Sequence, residues 1–517
     1  MLNDRRVEGV TEGLIGGLSE GLIEDILKTA LSNGGEYADV FVEETESTSI
    51  HIEDDKIEKM STGAVTGAGI RVVFGGKTAY AHTNDLTPAA LLDAARCASS
   101  AVRPQRAHKS DASDAAVFDL SEAKPRVDFT ISKMPSSVPV SEKIRLLTTA
   151  NAAARGRGQN RGLSGPIHGP NQNLSSGWAD KVRQVTGVYR DGVQRVLIAA
   201  SEASQTSKPS DITLSRDERV HTTFIIYVTA AHDGVIQTGY EVEGGFKGFE
   251  LFDGLDVEAV AVKAASRAIT MLSAPRIKGG RMPVVISSEA GGTMIHEAVG
   301  HGLEADLAGR GMSVYCGKKG MVIASALITV IDDATIPGQR GSYRFDDEGI
   351  ASAKNVLVDK GVLTGYMYDR INAAREGAAL TGNGRRDSYR SRPIPRMSNT
   401  YLAPGSTPPR DIILSVHDGL FVIKMGGGQV NTATGDFVFE VQDSRLIKNG
   451  VLGDPVRGAT LSGNGPDILA SIDMIGPDLG FSIGSCGKDG QSVAVSDAMP
   501  TVRIPEMVVG GIVGDEV

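Results

Sequence analysis

The sequence predicts an α+β fold: an N-terminal α/β, sandwich-like region followed by a β-rich C-terminal domain. Three observations predict it. The first hundred residues alternate capped helical periodicity with β-branched, period-two runs. The second half is mostly short strand-like runs between Gly-rich turns, and the 517-residue chain holds 63 glycines with only 5% aromatics. Hydrophobic content of 41% and charged content of 22% are ordinary for a globular chain, which at this length buries several cores.

SEGLIEDILKTALSNGG (19–35) predicts the first helix, with Ser19 as N-cap, apolar positions Leu22, Ile23, Ile26, Leu27 and Leu31, and a Gly stop. EYADVFVEE, TSIHIED, TGAGIRVVF and KTAYAHT read as four strands, the last two joined by a hairpin turn at Gly75–Gly76. DLTPAALLDAARCASSAV (85–102) predicts a second helix, with Cys97 as a packed core thiol. Residues 155–178, rich in Gly, Pro, Asn and Ser, read as a mobile loop in which His168 is solvated. QRVLIAASE and VHTTFIIYVTA read as strands and DVEAVAVKAASRAITML as a helix. A buried strand, Pro283–Ser287, then leads into a further helix, so the chain divides near residue 276 into regions 1–275 and 276–517. Later helices are expected near PPRDIILSVHDG and GPDILASIDM.

Composition narrows the function. A net charge of -10 argues against a nucleic-acid binder. Three cysteines, Cys97, Cys316 and Cys486, with no C-x-x-C pair, fit a reducing compartment better than a disulfide framework. The N-terminus has no apolar signal region, and the longest apolar run, FIIYV, is far below the ~18 residues of a membrane span. A soluble, cytoplasmic chain is expected, without a membrane partner.

Several motifs are lookalikes. VFGGKT resembles the end of a phosphate-binding loop, but Arg71 stands where the first glycine belongs. GGGQV (426–430) is followed by a strand-like run where phosphate binding needs a helix. GLSEG has no preceding strand, and GFSIG, with Ser482, has no histidine after it, since the last is His417.

The stretch MIHEAVGHGLEAD (294–306) is different. It places two of the chain's nine histidines within six residues, with a glutamate directly after the first, on a helix emerging from a buried strand. Catalytic zinc takes three protein ligands and leaves one position open; it acidifies water, and a neighbouring carboxylate moves the proton. His296 and His301 are candidate ligands and Glu297 the candidate base. Their spacing is unusual. Histidines four apart project within about 40° of each other on an α-helix, whereas five apart they diverge by about 140°. Chelation by this pair requires either a π-bulge or a helix that ends before His301, which is flanked by Gly300 and Gly302. The third ligand is open among Glu304, Asp306, Cys316, His417 and Cys486. Cys486, in the loop-like GSCGKDG beside Lys488, has the setting of an exposed, stabilised thiolate.

HEAVGHGLEAD resembles the H-E-x-x-x-H motif of the TldD/PmbA family of zinc metallopeptidases, on the TldD side. The likeness continues through FDDEG (345–349), TGNGRRDSYR (381–390), PIPRMSNTY (393–401), GGGQVNTATGDFVFE (426–440), GATLSGNGP (458–466) and CGKDGQ (486–491), and reaches the N-terminal YADVFVEE and GAGIRVV. The resemblance implies His296, His301 and Cys486 as ligands to one zinc per active subunit, Glu297 as general base, and a metal site carried by the C-terminal domain. It also implies cleavage of short or unfolded peptides, and a homodimer or a heterodimer with a TldE/PmbA-like subunit lacking the motif. Arg385, Arg386 and Lys488 are candidates for holding a peptide carboxylate or the oxyanion. The competing expectation is a peptide-binding or chaperone-like subunit with a structural zinc, which would show a fourth protein ligand such as Glu304.

Overall fold

The computed structural model describes residues 17–102, 120–158, 178–202 and 211–512, so His168 and most of the predicted loop fall outside the described residues. The fold is α+β, as the sequence predicts. Its N-terminal half is one seven-stranded sheet: β1 (Tyr37–Glu53), β2 (Lys56–Phe74), β3 (Lys77–Thr83), β4 (Leu120–Glu122), β5 (Val182–Glu202), β6 (Ile212–His232) and β7 (Val235–Gly245). The order is β3-β2-β1-β5-β6-β4, with β7 also on β6. The two strands expected over 36–54 are a single strand of 17 residues. Its polar middle, Thr45–Ser49, is paired to β2 on one side and β5 on the other, so the ladder and not side-chain burial keeps it extended.

Period-two alternation gives the two faces of this sheet different partners. Val40, Val42, Ile50 and Ile52 of β1 point to the helices. α1 (Glu20–Leu31) and α2 (Pro88–Ser100) cover one end, with Ile26, Leu27, Leu91 and Ala95 against Val40, Val42, Ile70 and Leu197. α3 (Val140–Ala154) and α4 (Val257–Ser273) cover the other, with Leu147, Ala261 and Ala265 against Ile50, Ile52, Val185 and Phe224. Ser19 caps α1 as expected, its Oγ accepting from the Leu22 N–H at 3.3 Å. Helix α3 escaped the sequence reading: it starts after Pro139 with no side-chain cap, and its buried stripe is half alanine with Lys143 and Asn151 among the rest. Cys97 is a correction. It is exposed, because the buried face of α2 is set by Leu91, Ala94, Ala95 and Ala98, and Cys97 lies off that stripe.

The opposite face meets the C-terminal half through buried charge. Arg71 of β2, fully buried, donates from Nε to Asp39 at 2.6 Å and from Nη1 to Glu348 at 2.7 Å. Arg219 of β6 reaches Asp347 at 2.7 Å and the Phe345 carbonyl at 2.8 Å. Arg344 bridges to Asp217 and, at 2.6 Å, to Asp128. The FDDEG segment is thus the key that fits the sheet.

In the C-terminal half, β8 (Gly280–Ile286) leads through a short turn into α5 (Thr293–Ile295) and the histidine segment; α6 is Ala305–Ala308. The remaining elements are β9 (Val330–Asp333), β10 (Lys354–Asp359), β11 (Val362–Leu363), α7 (Arg370–Glu376), β12 (Gly384–Arg385), β13 (Ile394–Pro395), β14 (Asn399–Leu402), α8 (Pro409–Leu414), β15 (Asp418–Val430), β16 (Asp436–Lys448), β17 (Val451–Val456), β18 (Thr460–Asn464), α9 (Gly465–Ser471), β19 (Met474–Ile475), β20 (Gly480–Lys488), β21 (Gln491–Met499) and β22 (Val502–Gly510). GGGQV lies inside β15 and is answered by β16 in a hairpin, so no helix follows it. Strands β15-β8-β22-β18-β16 close on themselves through β15–β16 into a barrel. A second sheet, β11-β10-β9-β14-β21-β20, stands beside it with β20 at its edge. The histidine segment runs between the two, and Met294, Ile295, Ala298, Val299 and Leu303 bury themselves in their shared core.

Candidate metal centre

The extra residue in the histidine motif is absorbed by backbone. His296–Gly300 is one turn of π-helix, in which the His301 N–H donates to the His296 carbonyl, five residues back. A 3-10 turn, His301–Leu303, follows at once. The widened turn brings the two imidazoles to the same side, with ring centres 5.0 Å apart and planes nearly perpendicular, 88°. Gly300 keeps an ordinary right-handed helical conformation, φ -54°, so backbone freedom is not why it is glycine. Its missing side chain makes room for Met397, whose sulfur occupies the place a Cβ would take.

Cys486 arrives from strand β20 and is buried at the core's edge, not exposed on a loop as its flanking glycines suggest. Its Sγ is 3.4 Å from His301 Nε2, and the donor atoms of His296, His301 and Cys486 all lie within 4.8 Å of one another. Two imidazole nitrogens and one thiolate suit zinc, whose bond lengths put tetrahedral N and S donors about 3.5 Å apart. Burial opposes ionisation of the Cys486 thiol, but hydrogen bonds from His296 and His301 bring its pKa down to about 5. His296 Nδ1 is buried without a hydrogen bond, 3.9 Å from Asp497 Oδ2. Asp497, on β21, also accepts from the Gly292 N–H at 3.1 Å and so anchors the start of the helical segment.

The far nitrogen of His301 is held more firmly. Nδ1 lies 3.0 Å from Glu304 Oε2, an arrangement that fixes the tautomer and aims Nε2 at Cys486. Burial would raise the Glu304 carboxyl, but the charges of His301, Lys488 and Arg396 bring it down to about 2. Lys488 Nζ is 3.2 Å from Glu304 and donates to Asp306 at 2.7 Å and to the Pro395 carbonyl at 2.9 Å. Arg396, fully buried, donates to the Cys486 carbonyl and lies 3.9 Å from Glu304. Glu304 is thus bound to the outer side of His301 and stays out of the donor cluster.

Glu297 is half-buried and pushed above its usual carboxylate range by burial, an effect the charges of His296 and His301 oppose. With His296 it lines two cavities. One, about 470 Å³, also touches His301, Cys486 and Lys488; the other, about 400 Å³, extends toward the N-terminal sheet and includes Arg190, Arg340, Ser482 and Gly484.

The structure therefore brings together His296, Glu297, His301 and Cys486, with Lys488 beside them. It does not bring Arg385 or Arg386. Arg385 donates to the Met397 and Ala494 carbonyls at 2.5 and 2.8 Å and covers the Tyr343 ring. Arg386 bonds Asp347 and stacks over Phe41, inside the charged contact with the sheet. Cys316 is exposed, and His417 is exposed and paired with Asp418. Sequence reasoning missed Asp497 and Arg396. The one available signal was charge inside apolar runs, in AVSDAM and PIPRM.

A buried cluster of two histidines and a cysteine, with a carboxylate beside it and a cavity in front, is a candidate metal-binding centre. The chain belongs to the TldD/PmbA family of metalloproteases. The family model described as PmbA/TldA metallopeptidase C-terminal domain matches residues 279–511, and that described as PmbA/TldA metallopeptidase domain 1 matches residues 38–102. A Haemophilus influenzae protein named metalloprotease TldD homolog is 34% identical over 92% of this chain and 93% of its own length. A zinc metalloprotease TldD homolog of Saccharolobus solfataricus is 32% identical over 51% of this chain and 59% of its own length. The crystal structure of TldE from Thermococcus kodakarensis has the same fold, with a TM-score of 0.69 at 17% identity over 95% of this chain and all of that one.

Proposed function

We propose that this metalloprotease is a zinc-dependent peptidase that hydrolyses short or unfolded peptides. His296, His301 and Cys486 hold one zinc per active subunit, and Glu297 is the general base. The observation that carries the reading is the convergence of three buried donors beside a carboxylate that shares their cavities. Bound zinc would supply Lewis acidity, polarising a carbonyl and acidifying water. Glu297 takes the proton of the attacking water and returns it to the leaving amine, and burial, which raises its pKa, favours its holding the proton between the two transfers. Lys488 neutralises Glu304 and Asp306, which keeps His301 in place.

Cavities of this size admit an extended chain and exclude a folded domain. Among the described residues strand β20 has a partner on one side only, so a peptide can lie along its free edge and bond to main chain without regard to sequence. The orientation of Glu304 speaks against a closed, four-ligand structural site. We place the division between the two regions near residue 276, and the working form as a cytoplasmic dimer, with itself or with a TldE/PmbA-like subunit. No helix among the described residues is long and apolar enough to cross a membrane.

The test is metal analysis combined with cleavage of an unstructured peptide, on the chain alone and with a candidate partner. One zinc per active subunit and activity abolished by chelation and restored by zinc are expected. Undiminished cleavage by metal-free protein would overturn the reading.

A further inference from the structure

The cavity of about 400 Å³ is lined by charges of both signs: the carboxylates Glu297 and Asp497 and the guanidinium groups of Arg190 and Arg340. Neither arginine forms an ion pair with any described residue, unlike the arginines that lock the two halves of the molecule together. Arg340 is pinned. Its backbone N–H donates to Ser496 Oγ at 3.0 Å, Nε donates to the Gly484 carbonyl at 3.3 Å, and Nη1 donates to Thr223 Oγ1 at 2.9 Å. Its Nη2 donates to nothing among the described residues. Thr223 stands directly across from Arg190 on the β5–β6 ladder, so the second guanidinium rises from the same patch of sheet. Burial and the charges of Arg190 and Arg385 push Arg340 down to about 10, the mark of cations gathered without an anion. Lys424, on the same wall, is matched by Glu241 at 3.9 Å.

Arg340 is half-buried, and a cation drawn even partly out of water gains from an anionic partner. A rigidly held, unpaired guanidinium opening onto a peptide-sized cavity is a site for an anion that arrives with the substrate. We propose that Arg340, with Arg190, forms a carboxylate-binding subsite that selects peptides presenting a negative group close to the scissile bond. This rests on the reading of the centre as a peptidase. The reach is set by β20: Gly484, which fixes Arg340, is two residues from Cys486, about 7 Å along the strand. The carboxylate therefore falls one to three residues from the bond that is cut. It is either the C-terminus of the peptide or an Asp or Glu side chain.

The experiment measures peptide binding by fluorescence anisotropy on zinc-loaded Glu297→Gln protein, and cleavage on the parent enzyme. Three versions of one unstructured peptide are compared: a free C-terminal carboxylate, a C-terminal amide, and the amide with one Glu moved through successive positions. A charge-assisted pair predicts that the free acid or one Glu peptide binds about tenfold more tightly than the plain amide. Preference for the free acid identifies the chain terminus, and preference for one Glu position identifies a side chain. Arg340→Gln should bring the ratio to about one. Arg190→Gln, on an exposed strand position, should shrink it and decides the matter where Arg340→Gln does not fold. Equal binding of all three peptides, or a ratio unchanged in the folded variants, overturns the proposal. Zinc-dependent cleavage without this discrimination leaves the peptidase reading standing while the subsite falls; discrimination in binding without any cleavage does the reverse.

Discussion

Glu297 and Glu304 stand on the same short segment and do opposite work. The first faces the cavity; the second grips the back of His301. Glu297→Gln should keep the zinc and lose ~10²–10⁴-fold in turnover, read by metal analysis beside a cleavage assay. Glu304→Gln should keep the base and weaken zinc by ~10–100-fold, read by competition with a chelating dye. Cys486→Ser removes the thiolate donor and should weaken zinc more than Glu304→Gln does, in the same competition. The pair and the base were legible because they are neighbours in the chain. Cys486 stood out among five candidates by its setting beside Lys488, and the resemblance then strengthened it. Asp497 and Arg396 were not legible, because the groups they hold lie 90 residues or more away along the chain.

The histidine spacing carried its own structural forecast, and the π-turn at His296–Gly300 meets it. What spacing did not show is why the turn is tolerated: Met397 fills the space above Gly300. Gly300→Ala should therefore destabilise the fold by about 1–3 kcal/mol through overpacking. Met397→Ala in the same chain should recover part of that loss, measured by denaturant unfolding. The long strands were less legible. Polar stretches such as Thr45–Ser49 and Lys56–Val65 gave no burial pattern to read, because backbone pairing alone extends them. Alanine-rich α3 hid for the related reason that small residues make a weak apolar stripe.

The two halves meet through a layer of buried arginines and carboxylates that no local pattern announces. Arg71, Asp39 and Glu348 come from two strands and a loop that lies 277 residues from Arg71. Arg71→Met removes the nearest cation from both carboxylates, leaving Asp39 to Arg386 at 3.5 Å and Glu348 to the Arg370 N–H at 2.7 Å, and should cost about 3–5 kcal/mol, visible as a large drop in Tm. The loss should appear even in metal-loaded protein, since the layer is separate from the donor cluster. Arg386 belongs to this framework, while Arg385 braces the C-terminal half through the Met397 and Ala494 carbonyls, which explains how arginines beside a conspicuous motif can be structural. The alternation that sends Val40 and Val42 to the helices sends Asp39 and Phe41 to the other half.

The order of strands in the N-terminal sheet also sets a timetable for biosynthesis. β1 and β2 are a local hairpin that can close as soon as both are made. The other edge of β1 is claimed by β5, which pairs Ser49 with Arg190 and Val40 with Ala199. At ~5–20 residues per second a ribosome needs roughly 6 to 26 seconds after β2 to supply that partner. Throughout the wait the nascent hairpin shows an open edge, the template for wrong pairing between chains. Glu43, Glu44, Glu46 and Glu53 run along this strand, and like charges along an open edge disfavour its pairing with a second copy.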